Sequence, residues 1–202
     1  MPDFILESDA IALPKGAFAK THRNRLRYRG QTLLALTQGD FRAYAFPLMT
    51  PAGYCVTAES AADHPHHSGL WVASDHVHAM MPAAHGTVEE YTYNFYVNET
   101  FQGRAPGRIL SVAIEGIELD GGRFEIAQHL EWRGPREWAA ENGRLIARET
   151  RSIRVTPGER AHRIDIRSRL GGGDHAMKLG PTRHGYFNLR VADSMIVANG
   201  GA

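Results

Sequence analysis

The sequence predicts an all-β fold, an antiparallel β-sandwich. Apolar residues alternate with a period of two in most segments, and no long stretch keeps an apolar stripe at helical spacing. Turn clusters rich in Gly and Pro recur at short intervals with no helical segment between them, which favours an antiparallel sandwich over a parallel α/β sheet. Size and composition agree: 202 residues, 43% hydrophobic and 22% charged, describe a globular chain able to bury roughly 70% of its unfolded surface without disulfides or a structural metal. The single Cys55 cannot form an internal disulfide or a thiolate cluster and reads as a spectator thiol. No repeat or low-complexity linker divides the chain, so residues 1–202 are expected to form one sandwich domain.

Taken in order, residues 23–29 alternate Arg23, Arg25, Arg27 and Arg29 with Asn24, Leu26 and Tyr28, and Gly30-Gln31 separates them from a run at 32–36. That is a hairpin signature. A strand follows over 41–48, with Arg42 and Tyr44 on one face. Residues 63–71, DHPHHSGLW, read as a loop entering a strand, with His64 kept extended by Pro65 and a tight bend at Gly69. Tyr91, Tyr93, Phe95 and Tyr96 form an aromatic cluster suited to the core, a sheet edge or sugar stacking. Residues 109–119 and 123–132 flank the turn Asp120-Gly121-Gly122 and make a second hairpin, and residues 138–142 suggest one helical turn. Residues 145–155 and 162–170, separated by Pro157-Gly158-Glu159, make a third hairpin that Gly171-Gly172-Gly173-Asp174 closes. In a last strand over 183–192, His184, Tyr186, Asn188 and Arg190 face one way, and Gly185, Phe187, Leu189 and Val191 the other.

Charge excludes whole classes of partner. Lys+Arg 23 against Asp+Glu 22 leaves a net charge of +1, with no field for nucleic acid or an anionic membrane. No window approaches the roughly 20 apolar residues needed to cross a bilayer. The first twelve residues carry Asp3, Glu7 and Asp9 where a signal peptide carries basic and apolar ones. The expected location is therefore the cytoplasm.

The chemistry concentrates in histidines. Six of the eleven, His64, His66, His67, His76, His78 and His85, fall within residues 64–85. Neutral imidazoles ligate zinc or another first-row divalent ion, and Asp63 or Asp75 is placed to ligate or to orient a ring, so His64, His66 and His67 are candidate metal ligands. The bland alternative is imidazoles hydrogen-bonded within an irregular loop. The polar face of 183–192 repeats every 6 to 7 Å or so, the scale of neighbouring sugar hydroxyls, with a solvated strand face as the alternative. His129 and Glu131 share a strand face and form a candidate acid/base pair or a surface ion pair. Arg42 and Tyr44 are candidate anchors for an anionic or polyol ligand. GxSxG, HExxH and dinucleotide fingerprints are absent, and Gly171 to Gly173 lack the Lys-Ser/Thr pair of a phosphate loop.

Three stretches, YAFPLMTPAG at 44–53, DHPHHSGLW at 63–71 and KLGPTRHGYFNLRVADSM at 178–195, resemble the bacterial family that carries the label methane oxygenase PmoA. The resemblance runs from about residue 42 onward and does not carry the oxygenase activity, since the particulate methane enzyme is embedded in a membrane that this sequence cannot span. That family resembles galactose-mutarotase-like super-sandwiches, which bind carbohydrate on the concave face of an antiparallel sheet, and so implies a sugar-directed role. It points to His64, His66 and His67, and to Arg183, Gly185 and Arg190. His184 departs from the family, which usually places an acid there. The ending NGGA at 199–202 resembles the middle of family members, which implies a sandwich incomplete at its C-terminus, completed by a partner chain or a second copy.

The sequence thus predicts a carbohydrate-active protein of epimerase, lyase or hydrolase type. His64, His66, His184, His129 and Glu131 are its candidate acid/base residues. Arg42, Tyr44, Arg183, Tyr186, Asn188 and Arg190 are expected to bind substrate, and His64, His66 and His67 to hold a divalent ion. The alternative is a carbohydrate-binding or subunit-interaction module without chemistry.

Overall fold

The computed structural model describes residues 2–10 and 22–201. Of the acidic N-terminal stretch considered above, Met1, Ile11 and Ala12 lie outside them, as does Ala202 of the closing NGGA. The chain is almost entirely strand. The first four strands are β1 (Phe4–Ala10), β2 (His22–Tyr28), β3 (Gln31–Gln38) and β4 (Ala43–Leu48). Three short strands, β5 (Glu59–Ala61), β6 (His64–Ser68) and β7 (Leu70–Val72), carry the histidine-rich motif. They are followed by β8 (Val77–Pro82), β9 (Val88–Asn94) and β10 (Ala105–Pro106). Two long hairpins come next: β11 (Arg108–Leu119) with β12 (Arg123–Arg133), then β13 (Leu145–Thr156) with β14 (Arg163–Gly172). The last strands are β15 (Ala176–Leu179) and β16 (Phe187–Leu189).

These strands form a six-stranded sheet of order β1-β2-β3-β4-β7-β16 facing a four-stranded sheet β11-β12-β13-β14. A third sheet, β10-β9-β8-β15, closes one end, and β5-β6 form a separate hairpin. Pairing among the described residues is antiparallel except for the two-residue contact of β10 with β9 and a single parallel bridge between Arg42 and Ile109. The expected all-β antiparallel sandwich is therefore present, with the three hairpins where turn chemistry placed them. Arg29 and Gly30 turn β2 into β3 with φ of 48° and 83°, the left-handed pair that a two-residue hairpin turn requires.

Period-two burial explains the core. On β12, Phe124, Ile126, Gln128, Leu130 and Trp132 face inward and are buried, while the residues between them are only half-buried. Phe124 and Ile126 join Leu26, Leu34, Leu36, Ile153 and Val155 in one apolar cluster. Leu130 and Trp132 join Tyr44, Trp71, Tyr93, Phe95 and Ile146 in a second cluster, under the third sheet. Between the two clusters lies a buried polar belt on β12 and β13. Glu149 accepts from Trp132 Nε1 (2.9 Å), Arg151 Nε (2.9 Å) and Ser168 Oγ (2.8 Å).

Three local expectations are corrected. Residues 63–71 are not a loop, because 64–68 form β6, paired with β5. Residues 138–142 make no helical turn. Glu137 and Ala140 instead exchange backbone hydrogen bonds of 3.2 and 2.9 Å around a turn that leaves Trp138 99% exposed. The last strand is regular only over Phe187–Leu189. Among the described residues, no helix is long and apolar enough to cross a membrane.

Candidate functional site

Gly69 makes the histidine segment possible. It sits between β6 and β7 with φ of 57°, and a Cβ there would lie 2.1 Å from the Ala45 carbonyl oxygen, so no other residue fits without displacing β4. Its backbone also stitches the site together: its N–H donates to Ala58 and its carbonyl accepts from Arg190 N, both at 2.8 Å. The preceding imidazoles pack on one another. His64 and His67 stack with centroids 4.8 Å apart and planes 6° from parallel, and His66 meets His67 edge-on at 4.4 Å. Asp63 fixes the start of β6. It accepts from Arg190 at 3.1 and 2.8 Å and lies 2.9 Å from His64 Nδ1, and these partners, His64 first, hold its carboxyl below the usual carboxylate range.

Tyr96 joins this cluster to a second one. Its hydroxyl lies 3.3 Å from His67 Nε2 and donates to Asn188 Oδ1 at 3.4 Å, and its ring stacks on His184 at 4.0 Å and 14°. Trp71 packs on His67 from below at 5.2 Å. Behind His184 stands Asp75, a carboxylate 1% exposed. Its Oδ1 is 2.9 Å from His76 Nδ1, and its Oδ2 faces His184 Nδ1 at 3.4 Å. Neither of that last pair of atoms makes a hydrogen bond among the described residues. Burial pushes the Asp75 carboxyl up, but Thr182, His76 and His184 more than offset it, so the carboxylate stays ionised.

On the other side of His66 opens a cavity of about 510 Å³, within the range of roughly 300–1,000 Å³ usual for small-ligand clefts. Its polar wall includes Arg23, Arg42, Tyr44, Glu59 and Asn98, and Phe41 and Pro65 are among its less polar surfaces. Glu59 accepts from Arg23 Nη2 (2.7 Å) and from the Tyr44 hydroxyl (2.5 Å). Burial, then the Glu59 bond, pushes the Tyr44 phenol far up, so it remains a donor. Burial is also the first cause lowering His66 and His67, each to about 4, with Arg42 and the neighbouring imidazoles adding to it. Both rings are therefore neutral at pH 7.

A family model matches residues 22–202. The chain belongs to the DUF6807 family. This is a family of unknown function, and no curated protein and no solved structure matches the chain.

In this DUF6807 chain, His64, His66, His67, His184 and Asn188 come together as one patch, and Arg42 and Tyr44 line the cavity that His66 shares. Arg183 reaches the edge of the patch, 3.9 Å from Asp75 and over the Phe101 ring. Arg190 is not an open anchor, since its guanidinium is committed to Asp63. The Tyr186 hydroxyl donates to the Gly180 carbonyl at 3.5 Å. His129 and Glu131 lie apart from this patch. They lie on the face of β12 turned away from the core, and Glu131 is held by Arg133 at 2.7 Å. On β16 the one polar residue, Asn188, is half-buried, while Phe187 and Leu189 are 55% and 50% exposed.

The candidate metal trio has an unfavourable geometry for its task. An ion lies in the plane of each ring that ligates it, and the parallel planes of His64 and His67 share no such point. Among the described residues, no group of three His, Cys, Asp or Glu side chains is set to hold an ion. The sequence names Asp63 and Asp75 as ring-orienting neighbours, and both take that position. Glu59, Asn98 and the bridging role of Tyr96 escape sequence reasoning, because each acts on a residue distant in the chain.

Proposed function

We propose that this DUF6807 chain is a carbohydrate-directed enzyme using imidazole acid/base chemistry on a sugar or keto-sugar. The observation that carries the reading is the buried Asp75 carboxylate facing His184 at 3.4 Å, beside neutral His66 and His67, of which His66 also lines a cavity of sugar size. A carboxylate at Nδ1 favours the tautomer with its proton on that nitrogen and leaves the lone pair on Nε2. His184 then takes a proton from a carbon or hydroxyl of the substrate, and Asp75 stabilises the imidazolium that forms. At 3.4 Å the two atoms are already within hydrogen-bonding distance, and what the bond lacks is alignment, which a small rotation of the His184 ring supplies on substrate binding. Stacking on Tyr96 fixes the ring plane, and His66 or His67 serves as the partner that accepts or returns a hydroxyl proton. The resemblance of its motifs to the family labelled methane oxygenase PmoA, whose fold in turn resembles sugar-binding sandwiches, supports the substrate class. This scheme runs through the residues alone.

The test is turnover of a panel of sugars and keto-sugars followed by NMR. His184→Ala should abolish turnover, and Asp75→Asn should lower kcat about 10²-fold with little change in KM. Sugars bound but returned unchanged by the unaltered protein overturn the enzyme and leave a binding module. Elemental analysis of protein purified without a histidine tag, before and after His66→Ala, measures any divalent ion directly.

A further inference from the structure

Arg42 is buried at 4% exposure, and it lacks the carboxylate partner that Arg23, Arg151 and Arg190 have. Arg23 is paired with Glu59 at 2.7 Å, Arg151 with Glu149 at 2.9 Å and Arg190 with Asp63 at 2.8 Å. Arg42 Nη1 donates to the His66 carbonyl at 3.2 Å and Nη2 to Asn98 Oδ1, both neutral acceptors, and Nε is buried without a partner. Among the described residues it makes no ion pair. Burial lowers its pKa to about 10, which leaves it cationic at neutral pH.

Removing a guanidinium from water without a counter-charge is strongly unfavourable, so such a group persists when a ligand supplies the charge. The other titratable groups on the cavity do not. Glu59 is committed to Arg23 and Tyr44, and Asp40 is exposed and makes no ion pair with Arg42. His66 is neutral and adds no competing positive charge. Phe41 and Pro65 offer surface for the apolar face of a pyranose ring.

We infer that the cavity takes a sugar bearing a carboxylate, a uronic or related acidic sugar, with its negative charge set against Arg42. The inference rests on the carbohydrate reading above and narrows it to one class of substrate. A planar carboxylate suits a guanidinium better than it suits an ammonium, because the fork of donors matches its two oxygens.

The experiment is equilibrium binding by NMR titration at matched ionic strength. The probes are D-galacturonate, D-glucuronate, their methyl esters, D-galactose, D-glucose and inorganic phosphate. The acids should bind at least tenfold more tightly than their esters and the neutral sugars, with affinity falling as salt rises, and Arg42→Gln should remove that advantage while Arg42→Lys keeps part of it. Acids, esters and neutral sugars binding alike would overturn the acidic class and leave the carbohydrate reading standing. Phosphate binding as well as the acids, with neutral sugars inert, would mark a plain anion site and overturn both, as would no binding by any probe. If Arg42→Gln does not fold, the acid-to-ester ratio on the unaltered protein decides alone.

Discussion

At the scale of single residues, His66 and His67 set a pH dependence that the fold itself must obey. Their ordinary value of 6.5 is lowered to about 4 in the folded protein. Between those values the unfolded chain binds more protons than the folded one, so stability falls as pH drops from about 6.5 to about 4 and is unaffected by these rings above that window. Melting temperatures at pH 7 and pH 5 check this, and the double variant His66→Gln/His67→Gln should show a smaller drop. A drop of equal size in that variant would assign the effect to other groups. The residues of the patch differ in how much the sequence discloses. Gly69 was readable, because a glycine inside an otherwise apolar strand entry signals a bend. Asp75 and Asp63 were readable as neighbours of histidines. The contact of Tyr96 with His184 was not, since the two are 88 positions apart and meet only where the segment after β9 packs against the segment before β16.

At the scale of elements, β13 combines two tasks. Its inward face is apolar at Ile153 and Val155 and ionic at Glu149 and Arg151, with the latter pair 2% and 1% exposed. Ser168 on β14 and Trp132 on β12 saturate the carboxylate from both sides, and Arg151 Nη2 remains without a partner among the described residues. Breaking such a pair from one side leaves a buried charge uncompensated. Arg151→Met should therefore cost about 3–5 kcal/mol in urea unfolding, and adding Glu149→Leu should recover much of that loss. No recovery in the double variant would mean that the belt is held by its hydrogen bonds to Trp132 and Ser168 more than by its charges. The long hairpins were plain from alternation and turn chemistry because their partners are neighbours in sequence. The segment 183–192 was misread as one strand, since local alternation cannot tell that the chain past Leu189 passes from β7 to bond Val56 and Ala58 instead.

At the scale of the whole molecule, four strands tie the two apolar clusters together. β4, β7, β12 and β13 each contribute residues to both. Neither cluster can lose its strands without exposing the other, so urea unfolding should be a single transition, coincident by far-UV circular dichroism and by fluorescence. Two separated transitions would mean that the sandwich divides into independent units. The sandwich class could be read from periodicity, whereas the third sheet that caps it could not, because β15 pairs with β8 across nearly half the chain. The three tryptophans, meanwhile, sample three different surroundings. Trp138 lies 99% open to solvent, Trp132 is sealed in the core against Glu149, and Trp71 lies under the His67 ring. A protonated imidazole quenches indole emission and dissolved iodide reaches only exposed rings. Light emitted by this chain therefore carries three separable signals: one from its surface, one from the integrity of its interior, and one from the charge state of the patch that we propose does its chemistry.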